Sequence, residues 1–232
     1  MKKVLLCLVV VCLLIVGCKS KEEDKKEEIT GGWEIVLSKQ VSDLDEETIN
    51  IFNNAKAKYN ELNLDLVALF GKQVVAGTNY MYLAKGYETG KEDATTYKVV
   101  VVYHDLEGND TITKVSDFDL EKYANKNIDG ISEQLAGGWN VESSGRPYGL
   151  FETGDNDIFE KATSTLAGMS YKPLVLVGKQ IVSGTNYAVI CYGAPTVPDA
   201  KEGIYLLTIY EDLDGNGKFL SSAYIDLADF NK

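Results

Sequence analysis

Residues 71–80 of the chain read GKQVVAGTNY, and residues 178–187 read GKQIVSGTNY. Eight of the ten letters agree across an offset of 107 positions. Gly31-Gly32-Trp33 likewise returns as Gly137-Gly138-Trp139, and these places hold both tryptophans of the protein. Solenoid repeats are much shorter than this, so the period indicates two tandem units, each long enough to fold around an independent core.

Each unit has the pattern of one amphipathic helix near its start. Acidic residues from Asp43 to Glu47 provide a cap and a first turn in the first unit. Apolar residues then recur at intervals of three and four, which predicts one buried helical face in each unit. These predicted faces are Phe52, Ala55, Tyr59 and Leu62 in the first unit, and Ile158, Ala162, Leu166 and Met169 in the second.

Four segments rich in β-branched and aromatic residues follow each helix, separated by turns that contain Gly, Asn or Asp. The segments are Leu64–Phe70, Asn79–Ala84, Tyr97–Tyr103 and Thr111–Phe118, then Leu174–Val177, Asn186–Cys191, Ile204–Tyr210 and Phe219–Ile225. The tryptophan segment can add a strand before each helix. We therefore predict an α+β fold in which each unit lays an antiparallel sheet of four to five strands across one helix.

The repeated stretch lies between two of these strands and predicts a hairpin. Gly77 and Gly184 suit a turn because glycine adopts positive φ at little cost. A turn alone does not require the apolar residues Val74, Val75, Ile181 and Val182 at its tip. Exposed apolar tips usually bind a partner, so we expect this hairpin to do so.

Gln73-Val74-Val75-Ala76-Gly77 resembles the Q-x-V-x-G motif of the cystatins, which inhibit papain-like cysteine proteases. Thr78-Asn79-Tyr80 extends the likeness toward the disulfide-free stefin branch, and the second unit repeats the motif from Gln180 to Tyr187. The glycine pairs lie about forty residues ahead of each hairpin, as in that family. The resemblance covers nearly all of residues 31–120 and 137–230.

The resemblance implies a wedge that enters the protease cleft without being cut. Its parts would be the early glycines, the Q-x-V-x-G hairpin and a second hairpin. In this sequence the corresponding residues are Gly31, Gly32, Gln73, Val74, Val75, Ala76, Gly77 and Leu106, then Gly137, Gly138, Gln180, Ile181, Val182, Ser183, Gly184 and Leu213. The second hairpin departs from the family, because Asp and Glu surround Leu106 and Leu213 where a Pro-Trp or Pro-Gly-like pair is expected.

The start of the chain has the features of an export signal. Lys2 and Lys3 precede thirteen apolar or Cys residues, Val4–Val16, which is too short a run to span a bilayer. Ile15-Val16-Gly17-Cys18 resembles a bacterial lipobox, which implies cleavage before Cys18 and a lipid anchor on its thiol. We therefore predict a signal peptide at 1–17, a lipid-anchored charged linker at 18–30, cystatin-like domains at 31–124 and 137–232, and a linker at 125–136.

Composition argues against other classes of function. The net charge of −12 and the single arginine, Arg146, disfavour nucleic-acid binding. The single histidine, His104, and the single cysteine of the predicted folded region, Cys191, lie on different units, which argues against a Cys–His or Ser–His arrangement, so we expect no enzyme activity and no catalytic residue. Asp212 to Gly217 resembles the start of a calcium loop, but position twelve is Ala223, so a turn explains the letters better. We predict no metal and no cofactor.

Two functions remain open at this point. The first is a bacterial, surface-tethered inhibitor of papain-like cysteine proteases. The second is a non-inhibitory cell-envelope lipoprotein that uses the same domains for adhesion or ligand binding, since a fold does not determine a function. Burial of the hairpin tips between the units would favour the second. The oligomeric state does not follow from the sequence.

Overall fold

The computed structural model describes residues 31–40, 43–124, 138–141, 155–197 and 202–231. The predicted signal peptide, Cys18, the charged linker, Gly137 and the linker at 125–136 lie outside these residues. The first unit contains β1 (Glu34–Gln40), α1 (Glu46–Lys56), β2 (Asn63–Val75), β3 (Gly77–Tyr87), β4 (Thr96–His104), β5 (Asp110–Asp117) and α2 (Leu120–Ala124). The second contains β6 (Asn140–Val141), α3 (Asp155–Thr163), β7 (Met169–Val182), β8 (Gly184–Pro195), β9 (Gly203–Glu211) and β10 (Gly217–Tyr224), and a 3₁₀ turn follows at Leu227–Phe230.

The strands form two antiparallel sheets of five, so the predicted α+β class is confirmed. The first sheet has the order β1-β2-β3-β4-β5 and the second the order β10-β9-β8-β7-β6. Within the described part of the chain, no helix is both long and apolar enough to cross a membrane.

Helix α1 begins where the acidic segment predicts. The Asp45 side chain accepts a hydrogen bond from the Thr48 backbone N–H at 2.7 Å and caps the helix. Phe52 and Ala55 are buried on its inner face as expected. The prediction for Tyr59 and Leu62 is wrong, because the helix ends at Lys56, although both side chains still pack against the same core.

The second helix is also shorter than predicted. Ile158 and Ala162 are buried in α3, but the helix ends at Thr163. Leu166 lies beyond that end, and Met169 is the first residue of β7. The threonines and serine of residues 163–165 have low helix propensity, which agrees with this early end.

The strands that follow each helix bend at equivalent points. β2 carries register shifts between Leu66 and Ala68 and between Leu69 and Gly71. β7 carries its first shift between Pro173 and Val175, 107 positions after the first shift in β2. A bulge bends and twists a strand and also accommodates a proline that has no N–H to donate. The shared bulges therefore bend β2 and β7 at equivalent positions.

The two sheets pack face to face, with α1 and α3 on the outer faces. Val99 and Val101 of β4 belong to the core between the sheets, whereas Val100 and Val102 belong to the core beneath α1. Since successive side chains of a strand point to opposite faces, a strand buried on both faces reads as an unbroken apolar run.

The core between the sheets is shared by both units. It includes Phe70 and Met81 from the first sheet and Ile190 and Leu206 from the second. Tyr97 also donates a hydrogen bond across the units to the Leu176 carbonyl at 3.3 Å. The expectation of two independent cores is therefore incomplete: each unit has its own core beneath its helix, and a third core joins the units.

Candidate binding edge

Three segments of the first unit meet at one end of its sheet because neighbouring strands are antiparallel. The start of β1, the β2–β3 turn and the β4–β5 turn all lie at this end. We call the segments Gly31–Gly32, Val74–Gly77 and Asp105–Asn109 together the first tip edge. The candidate residues of the first unit lie in these three segments, except Gln73, which directly precedes the second, and the fold brings the segments together.

A buried side chain joins the first two segments. Gln73, only 8% exposed, donates a hydrogen bond from Nε2 to the Gly31 carbonyl at 2.9 Å. Its Oε1 accepts one from Asn79 Nδ2 at 2.8 Å, and the Gly31 N–H donates to the Val74 carbonyl at 3.3 Å. The Gln73 side chain thus positions the edge from within the sheet, and the neighbouring valines present its outer surface.

The β2–β3 turn requires glycine for two reasons. Gly77 has φ of 121°, and a Cβ at this position would lie 2.5 Å from the His104 carbonyl oxygen. The Tyr103 hydroxyl donates a hydrogen bond to the Ala76 carbonyl and ties the turn to β4. Sequence reasoning missed this tyrosine as part of the site, although it recurs as Tyr210, whose hydroxyl bonds the Ser183 carbonyl.

The β4–β5 turn is held by one carboxylate. Asp105 Oδ1 accepts hydrogen bonds from the backbone N–H groups of Asn109 and Glu107, at 2.8 and 2.9 Å, and Oδ2 accepts from Asn109 Nδ2. These bonds, with those from Asn109 the strongest, lower the pKa of the Asp105 carboxyl. Asp212 accepts the same hydrogen bonds from Asp214 and Asn216. These turn contacts account for the Asp, Asn and Gly residues of 212–217 that resemble the start of a calcium-binding loop.

The tip edges carry most of the exposed large apolar side chains. Six such residues occur in the described part of the chain, and five of them lie in the turns at the tips of the two units or in the strand residues beside those turns. Only Val197 lies elsewhere, at 50% exposure. The five are Val74 at 37%, Val75 at 40%, Leu106 at 85%, Ile181 at 64% and Leu213 at 83%.

The second tip edge consists of Gly138, Ile181–Gly184 and Asp212–Asn216. Gln180 is 2% exposed and accepts a hydrogen bond from Asn186 Nδ2 at 2.8 Å, as Gln73 does from Asn79. Gly184 has φ of 122° and its turn is built like that of Gly77. Gly138, Ile181 and Ser183 are exposed, as predicted for the tip, whereas Val182 is half-buried.

One polar cluster lies at the base of the first tip edge, and its residues His104 and Asp110 correspond to Glu211 and Gly217 in the second unit. His104 Nδ1 lies 2.7 Å from Asp110 Oδ1, and the Asn54 side chain donates to Asp110 Oδ2 at 3.0 Å. Asp110 is buried, so these bonds satisfy its carboxyl oxygens and join α1 to the β4–β5 turn. The cluster supports the turn around the buried Asp110 carboxyl, whereas Asn54 and His104 remain partly accessible to solvent.

The free cysteine of the described residues lies in the core of the second unit and not at a tip edge. Cys191 is fully buried beneath α3, where burial raises the pKa of its thiol well above the usual range, as expected of a packing residue. In the described ranges, no group of three or more His, Cys, Asp and Glu side chains could hold a metal ion.

Comparison with protein-family models and with curated proteins gives no match to this chain. What the tip edges can do therefore follows from their own geometry, which is that of a preorganised, partly apolar surface for binding.

Proposed function

We propose that the protein is a reversible inhibitor of papain-like cysteine proteases and that each unit is a cystatin-like domain. The observation that carries the proposal is the first tip edge itself. Gly31, the Val74–Gly77 turn and the Asp105–Asn109 turn lie side by side at one end of the sheet, and Val74, Val75 and Leu106 are exposed there. That is the arrangement a wedge needs, and the described part of the other unit does not cover it.

Inhibition at this surface requires no covalent reaction, because the tip edge only has to block the protease cleft. Val74, Val75 and Leu106 would lose exposed apolar area in a closed cleft, which supplies affinity. The buried Gln73 and the Tyr103 hydroxyl hold the turns before binding, so little ordering entropy is lost on association.

The same geometry explains why the turn would resist cleavage. A protease cleft accepts a substrate as an extended strand whose backbone is free to pair with the enzyme. In this protein the backbone of Val75 is already paired with Gly77 in the β2–β3 ladder. The turn therefore fills the cleft while its peptide bonds stay held within the inhibitor.

The charge of the tip edges indicates what kind of cleft rim fits them. Glu107 and Asp214 stand beside the exposed side chains of Leu106 and Leu213. A protease with basic residues at the matching rim would be attracted by these carboxylates and by the net charge of −12. We expect its association rate to fall as salt is added.

We further propose that a lipid on Cys18 tethers the protein to the bacterial cell envelope after cleavage of the signal peptide. The support is the sequence Ile15-Val16-Gly17-Cys18 after a short apolar run. Radiolabelled palmitate in the expressing bacterium should label the wild-type protein and not Cys18→Ala. Equal labelling of both would reject the anchor at this residue.

The inhibition is tested with residues 19–232 and papain. We expect micromolar or tighter inhibition, and its loss in the double variant Val75→Asp plus Ile181→Asp, which changes one exposed residue in each tip edge. The matched control is Val197→Asp, since Val197 is also half-exposed but lies outside both tip edges. Uninhibited papain, or equal inhibition by the double variant, would reject the proposal.

The acidic turns favour a second candidate, a non-inhibitory binding module for adhesion or ligand capture. Carboxylates flank Leu106 and Leu213 where the cystatin resemblance implies a Pro-Trp or Pro-Gly-like pair. If papain is unaffected, a basic protein partner that binds wild type but not the double variant would support this candidate.

A further inference from the structure

The two units are related by an approximate twofold rotation. A Cβ on Gly71 of the first unit would lie 2.8 Å from Leu227 Cδ1, and a Cβ on Gly178 of the second would lie 2.5 Å from Leu120 Cδ2. Gly71 and Gly178 are 107 positions apart, and so are Leu120 and Leu227. Each contact therefore has a reciprocal contact, which is the mark of a twofold interface.

One pair of equivalent residues meets directly. Lys122 and Asp229 are 107 positions apart, and their Nζ and Oδ2 atoms lie 3.5 Å from each other. Equivalent residues of two units touch only near the twofold axis, so this pair marks where the axis passes. Two identical units would place like charges there, whereas this chain places opposite charges.

The reciprocal contacts also determine the directions of the tip edges. Ile35, near the first tip edge, lies against Gly203, the first residue of β9 at the end of the second sheet away from its own tip edge. In the converse position, Val141 lines the same cavity of about 270 Å³ as Thr96, the first residue of β4. The start of the first strand of each unit therefore lies over the far end of the other sheet, so each tip edge extends past that end and the two point in opposite directions.

The separation of the tip edges follows from the strand register. Gly71 and Gly178 each lie five residues before their turns, which is about 16 Å of strand at roughly 3.3 Å per residue. The register of β7 with β8, β9 and β10 aligns Gly178 with Ser221. Leu227, which contacts Gly71, lies six residues beyond Ser221 in the sequence. Straight strands of these lengths would place the tips about 50 Å apart, and the bend after β10 shortens the separation to about 40 Å.

We propose that one molecule holds two papain-like proteases at once, one at each end. This inference rests on the proposed function and adds to it the number and the arrangement of the bound enzymes. A folded domain of about 200 residues has a diameter of about 45 Å. Two such domains that approach from opposite directions onto tips about 40 Å apart do not collide. The sites are therefore independent, and occupation of one leaves the affinity of the other unchanged.

The arrangement of the tips is tested without any protease. Leu106→Cys plus Leu213→Cys in residues 19–232, with the buried Cys191 replaced by Ala, provides two exposed sites for spin labels. We expect a single distance distribution centred above about 35 Å from the strand lengths. A centre below about 25 Å would mean that the tips share one side and would overturn the proposal.

The number of bound enzymes is tested by calorimetry with papain whose catalytic cysteine is carboxymethylated. Wild type should bind two papains per chain. Val75→Asp plus Leu106→Asp, and separately Ile181→Asp plus Leu213→Asp, should each bind one with the affinity of the remaining site unchanged. One papain per wild-type chain would overturn this inference and leave the proposed function standing, whereas no binding would overturn both.

Discussion

The exposed leucine of the β4–β5 turn provides a quantitative test of the binding edge. Complete burial of a Leu or Val side chain contributes about 1.5–3 kcal/mol. Leu106 is 85% exposed, so a cleft that covers it could gain about 1.3–2.5 kcal/mol. Val75 is 40% exposed and could gain about 0.6–1.2 kcal/mol. The structure therefore predicts a larger contribution to binding from Leu106, which lies outside the Q-x-V-x-G motif, than from Val75, which lies within it.

We expect Leu106→Ser to raise the inhibition constant against papain by about ten- to seventyfold, and Val75→Ser by about three- to eightfold, from these energies. The measurement uses a background in which Ile181→Asp disables the second tip edge. Leu213→Ser in that background is the control and should have no effect. Both side chains are exposed, so urea unfolding should shift by less than about 0.5 kcal/mol.

A smaller effect for Leu106→Ser than for Val75→Ser would refute this reasoning. It would mean that the β4–β5 turn stays outside the cleft and that the carboxylates beside Leu106 keep the partner away. The tip edge would then act through the Gly31 and Val74–Gly77 segments alone.

Three further predictions concern the fold. Gly77 has φ of 121° and a Cβ there would lie 2.5 Å from a carbonyl oxygen, whereas Gly108 has φ of 85° and open space around it. Gly77→Ala should therefore lower the free energy of unfolding in urea by about 1–2 kcal/mol more than Gly108→Ala does. Equal losses in the two variants would contradict the packing argument. Leu227→Ala should cost about 2.7–5 kcal/mol and, because the core is shared, accelerate hydrogen exchange in β3 of the other unit; unchanged exchange in β3 would show that the units unfold separately. Burial, and next a hydrogen bond to Glu202, raises the pKa of Tyr192 to about 12, so the unfolded chain releases this proton near pH 10 while the folded chain keeps it. The contribution of Tyr192 to the free energy of unfolding should therefore be fully present below pH 10 and fall toward pH 12. A constant urea midpoint across that range would disprove the shift.

Much of the candidate site could be predicted from local sequence patterns. The turn at Gly77 and the exposure of Val74, Val75 and Leu106 follow from glycine conformation and from apolar residues placed between strands. The role of Gln73 could not be predicted, because its partner at Gly31 is 42 positions away in the sequence. Tyr103 was visible as a repeated letter, but only the register of β3 and β4 shows that its hydroxyl reaches the turn.

The helices show the limits of periodicity. Tyr59 and Leu62 continue the apolar spacing of α1 past its end, because they pack against the same core as the helix from a following turn. A spacing pattern records which side chains are buried together. It does not record whether the backbone between them is still helical.

The sequence by itself determined the duplication, the order of helix and strands in each unit and the two exposed hairpins, because glycine turns, strand alternation and repeated motifs are local properties. The face-to-face packing of the sheets was decided only by the tertiary structure. The run Val99–Val102 indicates burial on both faces, yet the sequence does not identify what covers the second face. The second face is covered by the other unit, which is rotated so that the two tip edges point in opposite directions. That rotation depends on contacts between residues far apart in the chain, such as Gly71 with Leu227.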